Sequence, residues 1–134
     1  MNNTTVTISN SANLAIREML EDYFDGLYFG DVNLLANVFH PQARYVCACE
    51  GQWQYLNMAD YFQRVKQRRA PASENQRRVD DIVAIDVAGP ETALAKVHCA
   101  IGEKYFTDFL SLVHTEGRWQ IINKLFHFSR VQSH

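Results

Sequence analysis

Long apolar runs are missing from this 134-residue chain, and so is any strong imbalance of charge. No uninterrupted apolar stretch comes near the ~20 residues that a membrane-spanning helix needs, and the N-terminus lacks the basic start and apolar centre of a secretory signal. The expected setting is therefore the cytoplasm, with no membrane partner. A formal net charge of -2 gives no global attraction to nucleic acid. Cysteine is scarce and odd in number: Cys47, Cys49 and Cys99 lack framework spacing and read as free thiols of a reducing compartment. No histidine or carboxylate stands at a recognised ligand spacing from them, so neither zinc nor thiol catalysis is expected. No glycine-rich phosphate loop occurs, and no cofactor is implied.

What is present is a globular composition, 47% hydrophobic and 12% aromatic, on a chain long enough for one core but not two. Residues 1–10, "MNNTTVTISN", read as a loose arm, and 11–134 as a single domain. From 11 to 29, Leu14, Ile16, Met19, Leu20, Tyr23, Phe24, Leu27 and Tyr28 recur at three- and four-residue intervals, the spacing of an amphipathic helix capped by Ser9, Asn10 or Ser11. Gly30 ends it, and Asp31 caps a short second helix, "VNLLANVF", that must stop before Pro41. "ARYVCAC" reads as a strand, Glu50-Gly51 as a turn into "QWQYL", and Asn57 as the cap of a third helix with Met58, Tyr61, Phe62 and Val65 facing inward. From Val79 the period changes to two. "VDDIVAIDV", "TALAKVHCAI", "KYFTDFLSLVH" and "RWQIINKLFHF" form a meander with turns at Gly89-Pro90, Gly102-Glu103 and Glu116-Gly117. Helices first and antiparallel strands afterwards predict an α+β domain, its N-terminal helices laid on one face of a curved sheet.

Two-residue turns fix a register. Ile101 then lies opposite Lys104, which sets Cys99 against Phe106 and Val97 against Asp108. Thr115 opposite Arg118 sets Leu112 against Ile121, Leu110 against Asn123 and Asp108 against Leu125. The shared face is apolar apart from Asp108, Asn123 and His127, which converge as cross-strand neighbours and predict a pocket. The other face carries Leu94, Lys96, His98, Tyr105, Thr107, Phe109, Ser111, Val113, Ile122, Lys124, Phe126 and Phe128. It is too apolar for water alone and predicts a homodimer through the outer sheet. The run Arg64, Lys66, Arg68, Arg69, with Arg77 and Arg78, reads as a solvated face rather than a nucleic-acid surface, and His40 as a residue bonding locally where the short helix ends.

The order of helix, "FHPQA", hairpin, helix and four-stranded meander resembles the nuclear transport factor 2-like superfamily of cone-shaped, cystatin-like domains. Within it, "YFDGLYFGD", "FHPQARYV", "IDVAG", "AKVHC", "DFLSLV" and "GRWQIINKLFH" look most like the SnoaL-like branch called putative lumazine-binding proteins. The resemblance covers nearly the whole chain and implies a pocket between helices and sheet. The superfamily includes ketosteroid isomerase, dehydratases, polyketide cyclases and members without catalysis, so fold does not choose among them. "DFLSL" looks like the segment carrying the isomerase's hydrogen-bonding acid, with Asp108 at the matching place. The isomerase's general base falls near Cys47, where no acidic residue stands, so steroid isomerisation is not implied.

Three readings follow. In the first, the cone holds a small, flat, partly polar ligand, gripped by Asp108, Asn123 and His127, with Tyr23, Cys47 and Trp53 as further contacts. In the second, Asp108 and His127 share acid and base roles in an isomerase-, dehydratase- or cyclase-type reaction. In the third, the cone is filled by its own side chains and the protein is a structural dimer.

Overall fold

The computed structural model describes residues 3–130, with side chains from residue 10 onward. Three α-helices precede the meander: α1 (Asn3–Phe29), α2 (Val32–Val38) and α3 (Met58–Gln67). Six strands form one sheet: β1 (Phe39–Cys47), β2 (Gln54–Leu56), β3 (Asp80–Gly89), β4 (Thr92–Ile101), β5 (Lys104–Thr115) and β6 (Arg118–Arg130). Their order across the sheet is β2-β1-β6-β5-β4-β3, and every neighbouring pair is antiparallel except β1 with β6. This is the expected α+β cone. Helix α1 begins inside the segment expected to be an arm; residues 1 and 2 of that arm lie outside the described residues. Among the described residues no helix is long and apolar enough to cross a membrane.

Local chemistry accounts for the joints. At the end of α1, Gly30 takes φ +65°, a left-handed conformation open to glycine, and the Asp31 N–H closes the helix on the Gly26 carbonyl at 2.9 Å. The Asp31 carboxylate then accepts from the N–H groups of Asn33 and Leu34, so one residue ends one helix and starts the next. Asn57 caps α3 by accepting from the Asp60 N–H. His40 accepts from the Gln42 N–H at 3.0 Å, a local bond as its sequence setting predicts. Both Glu116 and Gly117 have positive φ, which gives the tight turn whose twist matches a hairpin. In place of the expected turn at Glu50-Gly51, a short 3-10 segment covers Cys49–Gly51.

The helices press their apolar stripes onto the concave sheet face. Ile16, Leu20, Tyr23 and Leu27 of α1, Leu35 of α2 and Tyr61 of α3 join Val97, Leu110, Leu112 and Ile121 of the sheet in one buried cluster. Leu14, expected on the inner side, is exposed, and Ala12 is buried instead.

The β4–β5 register is the one the turn at Gly102 dictates: Cys99 opposes Phe106, Val97 opposes Asp108 and Ala95 opposes Leu110. The β5–β6 register starts as expected, with Thr115 opposite Arg118 and Leu112 opposite Ile121, and then shifts. Ser111 pairs with Asn123, which leaves Ile122 as an extra residue, a β-bulge. Since side chains alternate with period two, one inserted residue reverses the facing of everything beyond it. Asp108 therefore opposes Phe126, not Leu125. Lys124, Phe126 and Phe128, expected outside, are buried inside, while Leu125 and His127 are exposed and Asn123 is half-buried. The predicted convergence of Asn123 and His127 on Asp108 is overturned. On its other side β6 meets an irregularity at the same level: Phe39 pairs with Ile121 and Arg44 with Asn123, so β1 loops out over residues 40–43, where Pro41 has no N–H to lose.

The α1–α2 contact is tight enough to test. A Cβ added at Gly26 would lie 2.7 Å from Leu35 Cδ2, and Leu35 is fully buried. Gly26→Ala is expected to lose about 1 kcal/mol net, overpacking of ~1–3 kcal/mol exceeding the ~0.5–1 kcal/mol gain in helix propensity. Urea denaturation measures it; an equal or more stable variant would show that Leu35 gives way freely.

Candidate functional site

Beneath the helices lies a polar cluster walled by aromatic rings. Asp108, on the middle of three long strands, is completely shielded from solvent. Tyr23 of α1 donates its hydroxyl to Asp108 Oδ2 at 2.6 Å, a short bond of the charge-assisted kind. Lys124, which the bulge turns inward, places Nζ 3.8 Å from the same oxygen with 2% of its surface exposed. The Cys99 thiol approaches Oδ2 at 4.0 Å. The Lys124 ammonium lies 5.3 to 5.8 Å from the ring centroids of Tyr23, Tyr45, Tyr61, Phe106 and Phe126, so its charge is met by ring faces as well as by the carboxyl group.

The cluster is incompletely satisfied. Asp108 Oδ1 and Tyr61 Oη are buried without a hydrogen-bond partner among the described residues. Each orphaned group costs about 1–3 kcal/mol, an unusual expense inside a well-packed core. Electrostatics bind the members together. Burial lowers the pKa of Lys124, but the neighbouring Asp108 charge and the surrounding Tyr61 and Cys99 groups outweigh it and hold the pKa above the ordinary lysine range. Burial, then the Asp108 charge, pushes the Tyr23 phenol well up. The same two causes, in the same order, push the Cys99 thiol up, so Cys99 stays an unreactive thiol.

A separate open cavity of about 360 Å³ lies between α3 and the ends of β5 and β6. Its apolar wall is Tyr45, Phe106, Phe126 and Phe128; three of these rings also surround the Lys124 ammonium. Asp108 and Lys124 do not line it. The rings of Tyr45, Phe106 and Phe126 are thus shared between the cavity and the buried charges, and a molecule in the opening reaches Asp108 only if one of them moves.

Of the residues singled out from sequence, Tyr23 and Asp108 meet. Cys47 is fully buried and its sulfur accepts the Cys49 N–H at 3.1 Å; Trp53 is 70% exposed and stacks on Tyr55 outside the cavity. Asn123 faces away from Asp108. His127 sits on the exposed side with Nδ1 3.5 Å from the Cys49 sulfur. Lys124 was missed because uninterrupted alternation put it outside. The doublet Ile121-Ile122, followed by Phe126 and Phe128 in one phase against Leu125 and His127 in the other, is the sequence signal of the phase change. Arg64 and Arg68, read as a solvated face, line the cavity, whereas Arg69 and Arg78 are held in surface ion pairs with Glu74 and with Asp25 and Asp80. Among the described residues no group of three or more His, Cys, Asp or Glu side chains is placed to hold a metal ion.

A helix layer on a bent sheet with an opening at one end defines the nuclear transport factor 2-like class. The pattern of the family described as "Putative lumazine-binding" matches residues 11–127, and the chain belongs to that family. It is 26% identical over 107 residues to the aldolase FrzH of Cladobotryum sp., covering 78% of this chain and 82% of that one. A nuclear transport factor 2-like protein of unknown function from Silicibacter pomeroyi DSS-3 superposes with a TM-score of 0.81 at 22% identity, covering 90% of this chain and 98% of its own. A similar protein from Shewanella baltica OS155 gives 0.78 at 25% identity, covering 87% and 93%.

Removing one member of a buried charge pair strands the other. Lys124→Met is expected to cost about 3–5 kcal/mol, and adding Asp108→Leu to recover most of it, as read by urea unfolding. A double variant no better than the single would mean that the two groups are not coupled. Lys124 and Tyr23 both hold their protons more tightly folded than unfolded, so their stabilisation is intact below the unfolded values of about 10 and drains away as pH rises past them. Melting temperature should be level from about pH 7 to 9, fall above about pH 10, and fall less steeply in Tyr23→Phe; a steepest loss between pH 5 and 8 would contradict this.

Proposed function

We propose that this protein binds a small, flat, partly polar molecule in the cavity at the mouth of the cone. The observation that carries the reading is the coincidence of an opening of about 360 Å³ with four aromatic walls and a charged rim, within the usual range for small-molecule sites. Membership of the family described as "Putative lumazine-binding" supports a heteroaromatic occupant. Tyr23 acts at one remove, through Asp108 and the ring wall around Lys124. Cys47, Trp53 and Asn123, expected as direct contacts, lie away from the opening and are not part of the proposal. Three free, buried cysteines are consistent with a cytoplasmic setting.

A second reading, acid-base chemistry at a carbonyl, is favoured by the two orphaned polar atoms, Asp108 Oδ1 and Tyr61 Oη. In it Asp108 works with Tyr23 and Lys124, because His127 is on the opposite side of the strand. Displacing Phe106 or Phe126 would admit a substrate oxygen to these groups.

Titration with pterins, flavin precursors and simple aromatic compounds, followed by tyrosine and tryptophan fluorescence, should give saturable binding, and Phe126→Ala should weaken it by about tenfold. Silence across every compound would remove the first reading. For any compound that turns over, Asp108→Asn should lower kcat by about a hundredfold or more; unchanged turnover would remove the second.

Pairing of two copies through the outer sheet is part of the proposal. Leu94, Phe109 and Leu125 are each more than two-fifths exposed there, and Phe109 faces Leu125 across the strands. Sedimentation at micromolar concentration should give a dimer that Phe109→Lys converts to monomer, and a wild-type monomer would rule the pairing out.

A further inference from the structure

The rim of the cavity has a charge that the rest of the chain does not. The formal net charge of the protein is -2, yet Arg64, Arg68, Lys104 and Arg130 converge on this opening against a single lining carboxylate, Glu103. One of the four is committed: Arg130 donates from Nε and Nη2 to the two oxygens of Glu50, at 2.7 and 3.0 Å. The other three make no ion pair among the described residues. Arg64 donates to the neutral Gln54 side chain, and its guanidinium sits 5.6 Å from the Tyr45 ring centroid. Lys104 places its ammonium 4.5 Å from the centroid of Phe128. Arg68, the residue that caps the C-terminal end of α3, has Nη2 buried without a hydrogen-bond partner among the described residues.

Like charges gathered around a partly enclosed space repel one another, and a buried guanidinium N–H without an acceptor is destabilising. An oxyanion in the cavity gives the cations a counter-charge, and a turn of the Arg68 guanidinium, which already lines the cavity, brings its buried Nη2 to an acceptor. The aromatic walls beside these cations supply stacking surface for a ring carrying that oxyanion.

Building on the cavity reading above, we infer that the site selects a planar aromatic ligand bearing a carboxylate or phosphate group. Arg68 is the anchor, with Arg64 and Lys104 completing the charge and Phe106, Phe126 and Phe128 receiving the ring. Glu103 sets the opposite preference and would disfavour ligands with more than one spread negative charge.

Three probes of one shape separate the possibilities: 2-naphthoate, 2-naphthyl phosphate and the neutral 2-naphthylmethanol, titrated into the full chain by calorimetry. The expected result is that at least one oxyanion binds about tenfold or more tightly than the alcohol. The stronger of the two identifies the anion. That advantage should shrink as sodium chloride is raised, while alcohol binding does not weaken. Arg68→Gln should lower oxyanion affinity by about tenfold or more and so abolish the preference over the alcohol, and Arg69→Gln, on the surface beside Glu74, should behave as wild type. Should Arg68→Gln not fold, Arg64→Gln and the salt series on the wild type decide the matter. Equal binding of all three probes, or a preference indifferent to Arg68 and salt, overturns the oxyanion inference and leaves the cavity as a neutral aromatic site. Binding of none of them to folded protein overturns both the inference and the cavity reading.

Discussion

The structure is organised around a carboxyl group and an ammonium group that share a water-free space. Asp108 and Lys124 are each nearly or wholly shielded, and neither would be tolerable there alone, because the desolvation of a single charge exceeds what a protein of this size can spare. Together they are held by opposite charge, by the Tyr23 hydroxyl and by the faces of five rings. The arrangement ties α1, α3, β1, β5 and β6 to one point, since Tyr23, Tyr61, Tyr45, Asp108 and Lys124 come from those five elements in turn. A well-packed hydrocarbon core could be more stable. What the polar cluster adds is a fixed position for the rings that close the cone from within.

That position governs the opening above it. Tyr45, Phe106 and Phe126 belong both to the cage of Lys124 and to the wall of the cavity, so the buried charges and the cavity share their walls. Membership in the putative lumazine-binding family and close superposition on nuclear transport factor 2-like proteins define the scaffold. The chemistry belongs to side chains that the scaffold displays, and at this mouth those are aromatic rings and arginines.

Much of the architecture is legible in local residue patterns because local forces set it. Helical periodicity in 11–29, the caps at Asp31 and Asn57, and the hairpin turns at Gly102 and Glu116-Gly117 each act over a few residues. So does the alternation in β4 and β5, and Cys99, Val97 and Ala95 meet the partners that the turn dictates. Asp108 inside the cone follows from the same short-range logic, and so does Tyr23 on the buried stripe of α1.

The side of β6 that faces the core was settled elsewhere. Counting back from the turn puts Asn123, Leu125 and His127 inside, and a single extra residue at Ile122 reverses all three. Whether that bulge forms depends on packing Phe126 and Phe128 against Tyr45 and Phe106, on the β1 excursion around Pro41, and on Lys124 finding Asp108. Those contacts join different strands, from 16 positions apart for Asp108 and Lys124 to 81 for Tyr45 and Phe126. The order of elements, the capping and turn residues, and the inward aspartate were therefore determined by the sequence alone. Tertiary structure decided that the aspartate's companion is a lysine rather than a histidine, and that Arg64 of α3 and Arg68, which caps it, line a cavity instead of facing open water. Alternation propagates from a turn only until a strand gains a residue, and the gain is stabilised by distant partners.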